Sequence, residues 1–232
     1  MSRIVVILII LSILIIPIGY ADEADVLPFS KGETLTYEVK LKKLNVGKSV
    51  LTFHGIETLG YKELYHITFS TRITALTDVE ELYAEKETFL PVEVHRTIKK
   101  FGTFTTRVIE KYDQEAFRVD IKQKTKFRKK EFSIEKDRPI HNAILLSYFC
   151  RTRESFSKKE TFNITIPAID FKVMFAGEEI IETPLGKFNA YLFTSDPPKF
   201  KLWLSTDEKR IPLMIENPSK IGYSLVIKEI SP

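Results

Sequence analysis

From Leu35 onward the apolar positions recur with a period of two. Leu35, Tyr37, Val39 and Leu41 alternate with Thr36, Glu38, Lys40 and Lys42, which assigns one face of an extended segment to a core and the other to water. A turn at residues 43–45 and a returning strand over 46–53 follow from the same pattern. Tyr65, Ile67 and Phe69 repeat it after Gly60, and Val92, Val94 and Ile98 lead into a turn at 99–102. Phe104, Val108 and Tyr112, then Phe117, Val119 and Ile121, complete a series of adjacent hairpins.

One stretch breaks the alternation. Ala143, Ile144, Leu145, Leu146, Tyr148 and Phe149 follow Pro139 without a period of two, and a helix over 142–153 is the better reading. Asn142 suits its N-cap, and Arg151 and Arg153 suit the negative end of its dipole. Cys150 falls in the last turn as a buried, inert thiol.

Strands resume at 162–166, 171–175, 188–193, 200–204, 211–215 and 223–230. Here the alternation is less clean: Phe200, Leu202 and Leu204 occupy one face while Trp203 occupies the other, so both faces of that strand need cover. The expected fold is mainly β, a curved antiparallel sheet or open barrel-like sheet with one short helix packed on it. No linker or repeat divides it, so residues 22–232 read as a single domain.

The first 21 residues differ in kind. Arg3 is their only charge, residues 4–18 are almost wholly Ile, Leu and Val, and Pro17, Gly19 and Ala21 follow. The apolar run falls short of the roughly 20 residues that cross a bilayer. A small pair after a helix breaker is the form of a signal peptide cut before Asp22. The rival is an uncleaved anchor in which Tyr20 extends the run. Either way the sequence points to export, to the periplasm or the cell envelope.

Composition limits the chemistry. The 232 residues are 44% apolar and 28% charged, which excludes a disordered chain and a multi-span membrane protein. Lys and Arg number 35 against 31 Asp and Glu, too mild a bias to imply nucleic acid. One cysteine excludes an internal disulfide and a Cys-rich metal site.

Short motifs carry a family resemblance. Leu27-Pro28-Phe29, Gly32-Glu33-x-Leu35-x-Tyr37 and Val46-Gly47 resemble the opening of the bacterial DUF3108 family. Gly177-Glu178-Glu179, Thr183-Pro184-Leu185-Gly186, Trp203-Leu204-Ser205 with Asp207, Arg210 and Pro212, and Gly222 resemble its later part. Ser147-Tyr148-Phe149 is a loose match to a short segment of such proteins. The resemblance implies export, a β-rich fold and an envelope setting, and it carries over no catalytic residue.

Candidate sites are few. His54, His66, His95 and His141 have no metal-ligand spacing, and no cofactor motif is present. Asp78, Glu80, Glu81, Glu85 and Glu87 form an acidic group without the glycine-assisted turn of a calcium loop, and read as a solvated strand and turn. Glu33, Asp207 and Arg210 read as turn-capping residues. Lys122, Lys124, Lys126 and Arg128 project from one face at strand spacing, either as an anionic-surface contact or as charges protecting a sheet edge. Tyr37, Tyr191, Phe193 and Trp203 are candidates for the wall of an apolar ligand cavity, with plain core as the alternative.

The expected function is a non-enzymatic envelope protein holding a lipid or other amphipathic ligand. Partners are a lipid or anionic membrane surface and an envelope protein, not nucleic acid. A structural module joining a partner through a sheet edge, and a hydrolase without a recognisable motif, are the alternatives.

Overall fold

The computed structural model of the protein describes residues 27–153, 155–157, 160–218 and 222–232. The expected signal segment lies outside the described residues.

Period-two segments become an antiparallel meander of eight strands. In chain order they are β1 (Thr34–Leu41), β2 (Leu44–Leu59), β3 (Lys62–Ile73), β4 (Leu76–Ala84), β5 (Pro91–Lys100), β6 (Phe104–Asp113), β7 (Arg118–Lys124) and β8 (Lys129–Glu135). The helix α1 (Leu145–Arg151) follows. A second meander comprises β9 (Thr161–Ile166), β10 (Ile169–Thr183), β11 (Gly186–Asp196), β12 (Lys201–Ser205), β13 (Pro212–Glu216) and β14 (Tyr223–Ser231). The two meanders join where β14 pairs with β1, Leu41 opposite Tyr223 and Thr34 opposite Ser231. The result is one 14-stranded antiparallel sheet, curved but not closed, whose edges are β8 and β9. This is the mainly β architecture that the alternation predicts.

The first turn spans Lys42 and Lys43, one residue earlier than expected, with Lys42 at φ 56°. Gly47 then permits a close approach: a Cβ there would stand 2.2 Å from the carbonyl oxygen of Arg72 on β3. The expected strand over 46–53 is the middle of a longer one.

The helix is shorter than the sequence suggests. It begins at Leu145, and the Asn142 carboxamide oxygen, two residues before its N-cap Ile144, accepts from the Ile144 and Leu145 N–H groups at 2.8 and 3.5 Å. The short helix divides the interior. Leu145 and Tyr148 pack in the larger cluster, with Phe29, Phe53 and Phe89, whereas Leu146 and Cys150 pack in the smaller one, with Ile164, Phe171, Val173 and Phe193. Burial pushes the Cys150 thiol up to about 12, so it remains protonated and unreactive at neutral pH.

Arg151 fastens the helix at its last turn. Its guanidinium is fully buried, forms an ion pair with Glu33, donates to the carbonyls of Pro28 and Lys209, and lies 4.7 Å from the centre of the Phe29 ring. Glu33 is therefore not a turn cap. Asp207 does serve a turn: its Oδ1 accepts from the Lys209 and Arg210 N–H groups and from the Ser205 hydroxyl. The Arg210 guanidinium lies over the Phe156 ring at 5.1 Å.

Candidate functional site

A half-open cavity of about 570 Å³ lies between β1–β6 and β14 on one side and, on the other, the segment before the helix and the β9–β10 turn. Val39 and Leu41 on β1, Phe69 and Ile73 on β3 and Leu225 on β14 form an apolar wall. The residues before the helix, His141 to Ile144, and the β9–β10 turn, Ile166 to Ala168, cover the opposite side. Its volume falls within the roughly 300–1,000 Å³ range of small-molecule sites.

Charged groups interrupt the apolar wall at one place. On β4 the residues Leu76, Asp78, Glu80 and Leu82 share one face by their spacing, and Asp78 and Glu80 line the cavity with Arg96 of β5 and Glu110 and Tyr112 of β6. Arg96 stands opposite Glu80 in register. Its Nε donates to Asp78 Oδ1 at 2.9 Å and its Nη2 to Oδ2 at 2.5 Å, a bidentate clamp, and Nε lies 3.3 Å from Glu80 Oε1. Tyr112 donates its hydroxyl to Glu110 at 2.5 Å.

The electrostatics follow from burial. Loss of solvent raises the Glu80 carboxyl from 4.5 to about 7, with Arg96 opposing and Asp78 and Glu110 adding to the rise. Burial also raises the Tyr112 phenol, helped by Glu110, and lowers the His141 imidazole. Burial and the field of Glu80 both raise Tyr223, at the β14 side of the cavity. Three acids face one arginine that is itself committed to carboxylates, so acceptors predominate in the charged part of the wall.

The acidic group expected to be a solvated strand and turn is thus split by its register. Asp78 and Glu80 share the core-facing side with Leu76, Leu82 and Ala84, whereas Glu81 is exposed on the other side. The signal was present as Leu76-x-Asp78-x-Glu80-x-Leu82, with two charges held at core parity.

The aromatic candidates lie elsewhere. Tyr37 is fully buried, donates its hydroxyl to the Pro212 carbonyl at 2.9 Å and belongs to the larger core cluster with Trp203. Trp203 donates its indole N–H to Glu179 at 2.5 Å. Phe193 and Tyr191 belong to the smaller cluster, around Phe156 and Phe175. None of the four lines the 570 Å³ cavity: Tyr37, although on β1 with Val39 and Leu41, is taken up in the larger core cluster with Trp203, and Tyr191 and Phe193 pack in the smaller one.

The basic run does not form one strand face either. Lys122 and Lys124 are on β7, but Lys126 and Arg128 belong to the turn before β8. That turn is closed by the Thr125 N–H on the Arg128 carbonyl at 2.8 Å. Lys122 pairs loosely with Glu131 at 3.7 Å, and the sheet edge is β8 rather than β7.

The strand histidines form a stack on the side opposite the core. His54 lies 4.5 Å from His66, His66 lies 4.8 Å from Tyr83, and Tyr83 meets His95 edge-on at 5.9 Å. Among the described residues no three His, Cys, Asp or Glu side chains are grouped to hold a metal ion.

The sequence matches the family described as "Protein of unknown function (DUF3108)" over residues 36–228. The chain belongs to the DUF3108 family. No curated protein matches it. A solved structure titled a beta-barrel-like protein of domain of unknown function DUF1849, from Brucella abortus, is similar with a TM-score of 0.53 at 10% identity, covering 87% of this chain and 97% of that one. That likeness is one of fold. A protein from Parabacteroides distasonis, provisionally described as a lipoprotein, gives a TM-score of 0.30 at 13% identity over 88% of this chain and 98% of its own. At that distance it does not bear on function.

Of the residues that carry the resemblance noted in the sequence, Val46 lines the cavity, and several others gather at the helix lock. Glu33 holds Arg151, Pro212 accepts from Tyr37, Ser205 and Asp207 shape the turn whose Lys209 carbonyl takes the Arg151 Nε–H, and Gly186 closes the β10–β11 turn at φ 120°. In this DUF3108 protein these contacts account for a scaffold, and Val46 alone of those residues belongs to the cavity lining.

Proposed function

We propose that this DUF3108 protein is an exported envelope protein that binds an amphipathic molecule in the cavity between β1–β6, β14, the segment before the helix and the β9–β10 turn. The half-open, largely apolar cavity with one acceptor-rich wall carries the reading. At roughly 30 Å³ per water-sized group, it has room for on the order of twenty such groups, enough for one hydrocarbon chain with a small polar end. Arg96 is engaged by Asp78 and Glu80, so an anionic head would meet net negative charge. The polar end that fits is a donor, an amine or a hydroxyl. Export is supported by the apolar run at residues 4–18 and the small residues that follow it.

The test uses a reporter in the cavity wall. Phe69→Trp puts an indole beside the ligand, whereas Trp203 lies outside the lining. Titrating the delipidated variant with a long-chain alkylamine, a monoacylglycerol and a fatty acid should change the emission of the introduced indole for the first two and much less for the acid. An emission indifferent to all three, with circular dichroism unchanged, removes the proposal. Preference for the acid would overturn the head-group assignment.

A further inference from the structure

Four residues of the cavity lining lie at one end of the sheet, and that end has its own chemistry. Register carries Tyr223 to Leu41, Leu41 to Leu44, Ile73 to Leu76, Leu76 to Lys100, Lys100 to Phe104 and Lys124 to Lys129. The β1–β2, β3–β4, β5–β6 and β7–β8 turns therefore project from the same end. Leu41, Ile73, Leu76 and Tyr223, at the strand ends beneath them, line the cavity.

Segments 40–45, 72–77, 99–105 and 122–130, which contain these four turns, hold twelve Lys and Arg and no Asp or Glu. The opposite end, at 57–63, 85–90 and 113–118, holds six acids and three cations. Charge is thus sorted along the strands, although the whole chain is only +4.

Large apolar side chains stand out from the same basic turns. Leu44 is 73% exposed, Phe101 75%, Phe104 63% and Phe127 83%. Phe101 sits at φ 51° beside Gly102 at φ 70°, a backbone region unfavourable for a bulky residue, and its exposed ring gains no core packing in return. Its N–H donates to the Ala75 carbonyl at 2.8 Å, which ties the β5–β6 turn to the β3–β4 turn. Lys126 lies 5.5 Å from the centre of the Phe127 ring. Edge protection explains lysines but not outward phenylalanines, and an acidic protein partner would not account for four separate apolar tips ringed by cations.

We propose that this end of the sheet docks on an anionic phospholipid bilayer, the lysines and arginines lying among the headgroups and Leu44, Phe101, Phe104 and Phe127 inserting beyond them. Cations and apolar anchors on one surface are the two signals that together give stable peripheral binding. Docked this way, the lining residues Leu41, Ile73, Leu76 and Tyr223 lie at the end of the sheet nearest the lipid. Bilayer docking goes beyond cavity occupancy and does not require it, so vesicle binding and the Phe69→Trp titration can fail separately.

The exported full chain is mixed with preformed vesicles of phosphatidylcholine alone, or with phosphatidylglycerol added, and bound protein is read by flotation. Binding should need phosphatidylglycerol and weaken at high salt. Phe101→Ser with Phe127→Ser should lower partitioning at least about tenfold. Lys126→Gln, Arg128→Gln and Lys130→Gln should lower it roughly fivefold per charge. All five sites are exposed, and unchanged circular dichroism shows that the variants fold. Three outcomes overturn the proposal: no binding by the parent, equal binding to neutral and anionic vesicles, or binding that follows the cations and ignores the phenylalanines, which is adsorption to any polyanion.

Discussion

Arg151 grips both carboxylate oxygens of Glu33 across 118 residues of chain, at 2.5 Å for Nη1–Oε1 and 2.8 Å for Nη2–Oε2. Both side chains are buried, at 0% and 7% exposure. Removing one partner strands the other charge away from water. Glu33→Ala should therefore cost about 3–5 kcal/mol in urea unfolding, while Glu33→Leu combined with Arg151→Met should recover most of that loss. A single variant as stable as the parent would show that the pair does not fasten the helix.

Glu80 predicts a pH dependence of defined sign. Its carboxyl is raised from 4.5 to about 7 by burial, among Asp78, Arg96, Glu110, Tyr112 and Tyr223. Between those values the unfolded chain has released a proton that the native protein keeps, so this group's contribution to stability falls as pH rises from about 4.5 to about 7 and is level outside that window. Glu80→Gln should remove that slope, changing the stability difference between variant and parent by at most roughly 3 kcal/mol across it. Parallel pH profiles of the denaturant midpoint would contradict the raised carboxyl.

Trp203 is 4% exposed in the larger core cluster. Trp203→Ala should cost roughly 3–5 kcal/mol and lower the Tm. In the parent protein, a cavity ligand should leave the Trp203 emission nearly constant. A ligand-dependent shift of the native indole would place a second binding region beside it.

Gly47 is a steric requirement. An added Cβ would meet the Arg72 carbonyl oxygen at 2.2 Å and the Ile73 Cγ2 at 2.7 Å. Gly47→Ala should cost about 1–3 kcal/mol and loosen the β2–β3 pairing, read as faster amide exchange at Arg72 and Ile73. Unaltered exchange would mean that β2 shifts freely there.

Alternation revealed the strands because one face of each meets a core, as Leu35, Tyr37 and Val39 do. It could not reveal the partner of β1, since pairing with β14 depends on residues almost two hundred positions away. The basic run looked like a continuous strand because its turn contains no glycine or proline; Thr125 makes it instead, its hydroxyl oxygen accepting from the Arg128 N–H at 3.0 Å. The cavity was less legible still. Its wall combines strands from both meanders with two connections, and its charged patch was hidden by the expectation that carboxylates face water.

The placement of β14 has a consequence for biosynthesis. It is the last of the fourteen strands to be made, yet it lies between β1 and β13 in the middle of the sheet and supplies Tyr223 and Leu225 to the cavity. Until it arrives, β1 and β13 both present unpaired edges, the hazard that sheet proteins otherwise avoid. A nascent chain can form hairpins from β1 through β8 as they appear, but it cannot join its two halves or enclose a ligand. Joining of the two meanders thus waits for β14, and a holding chaperone that delays collapse would protect the two edges during the interval.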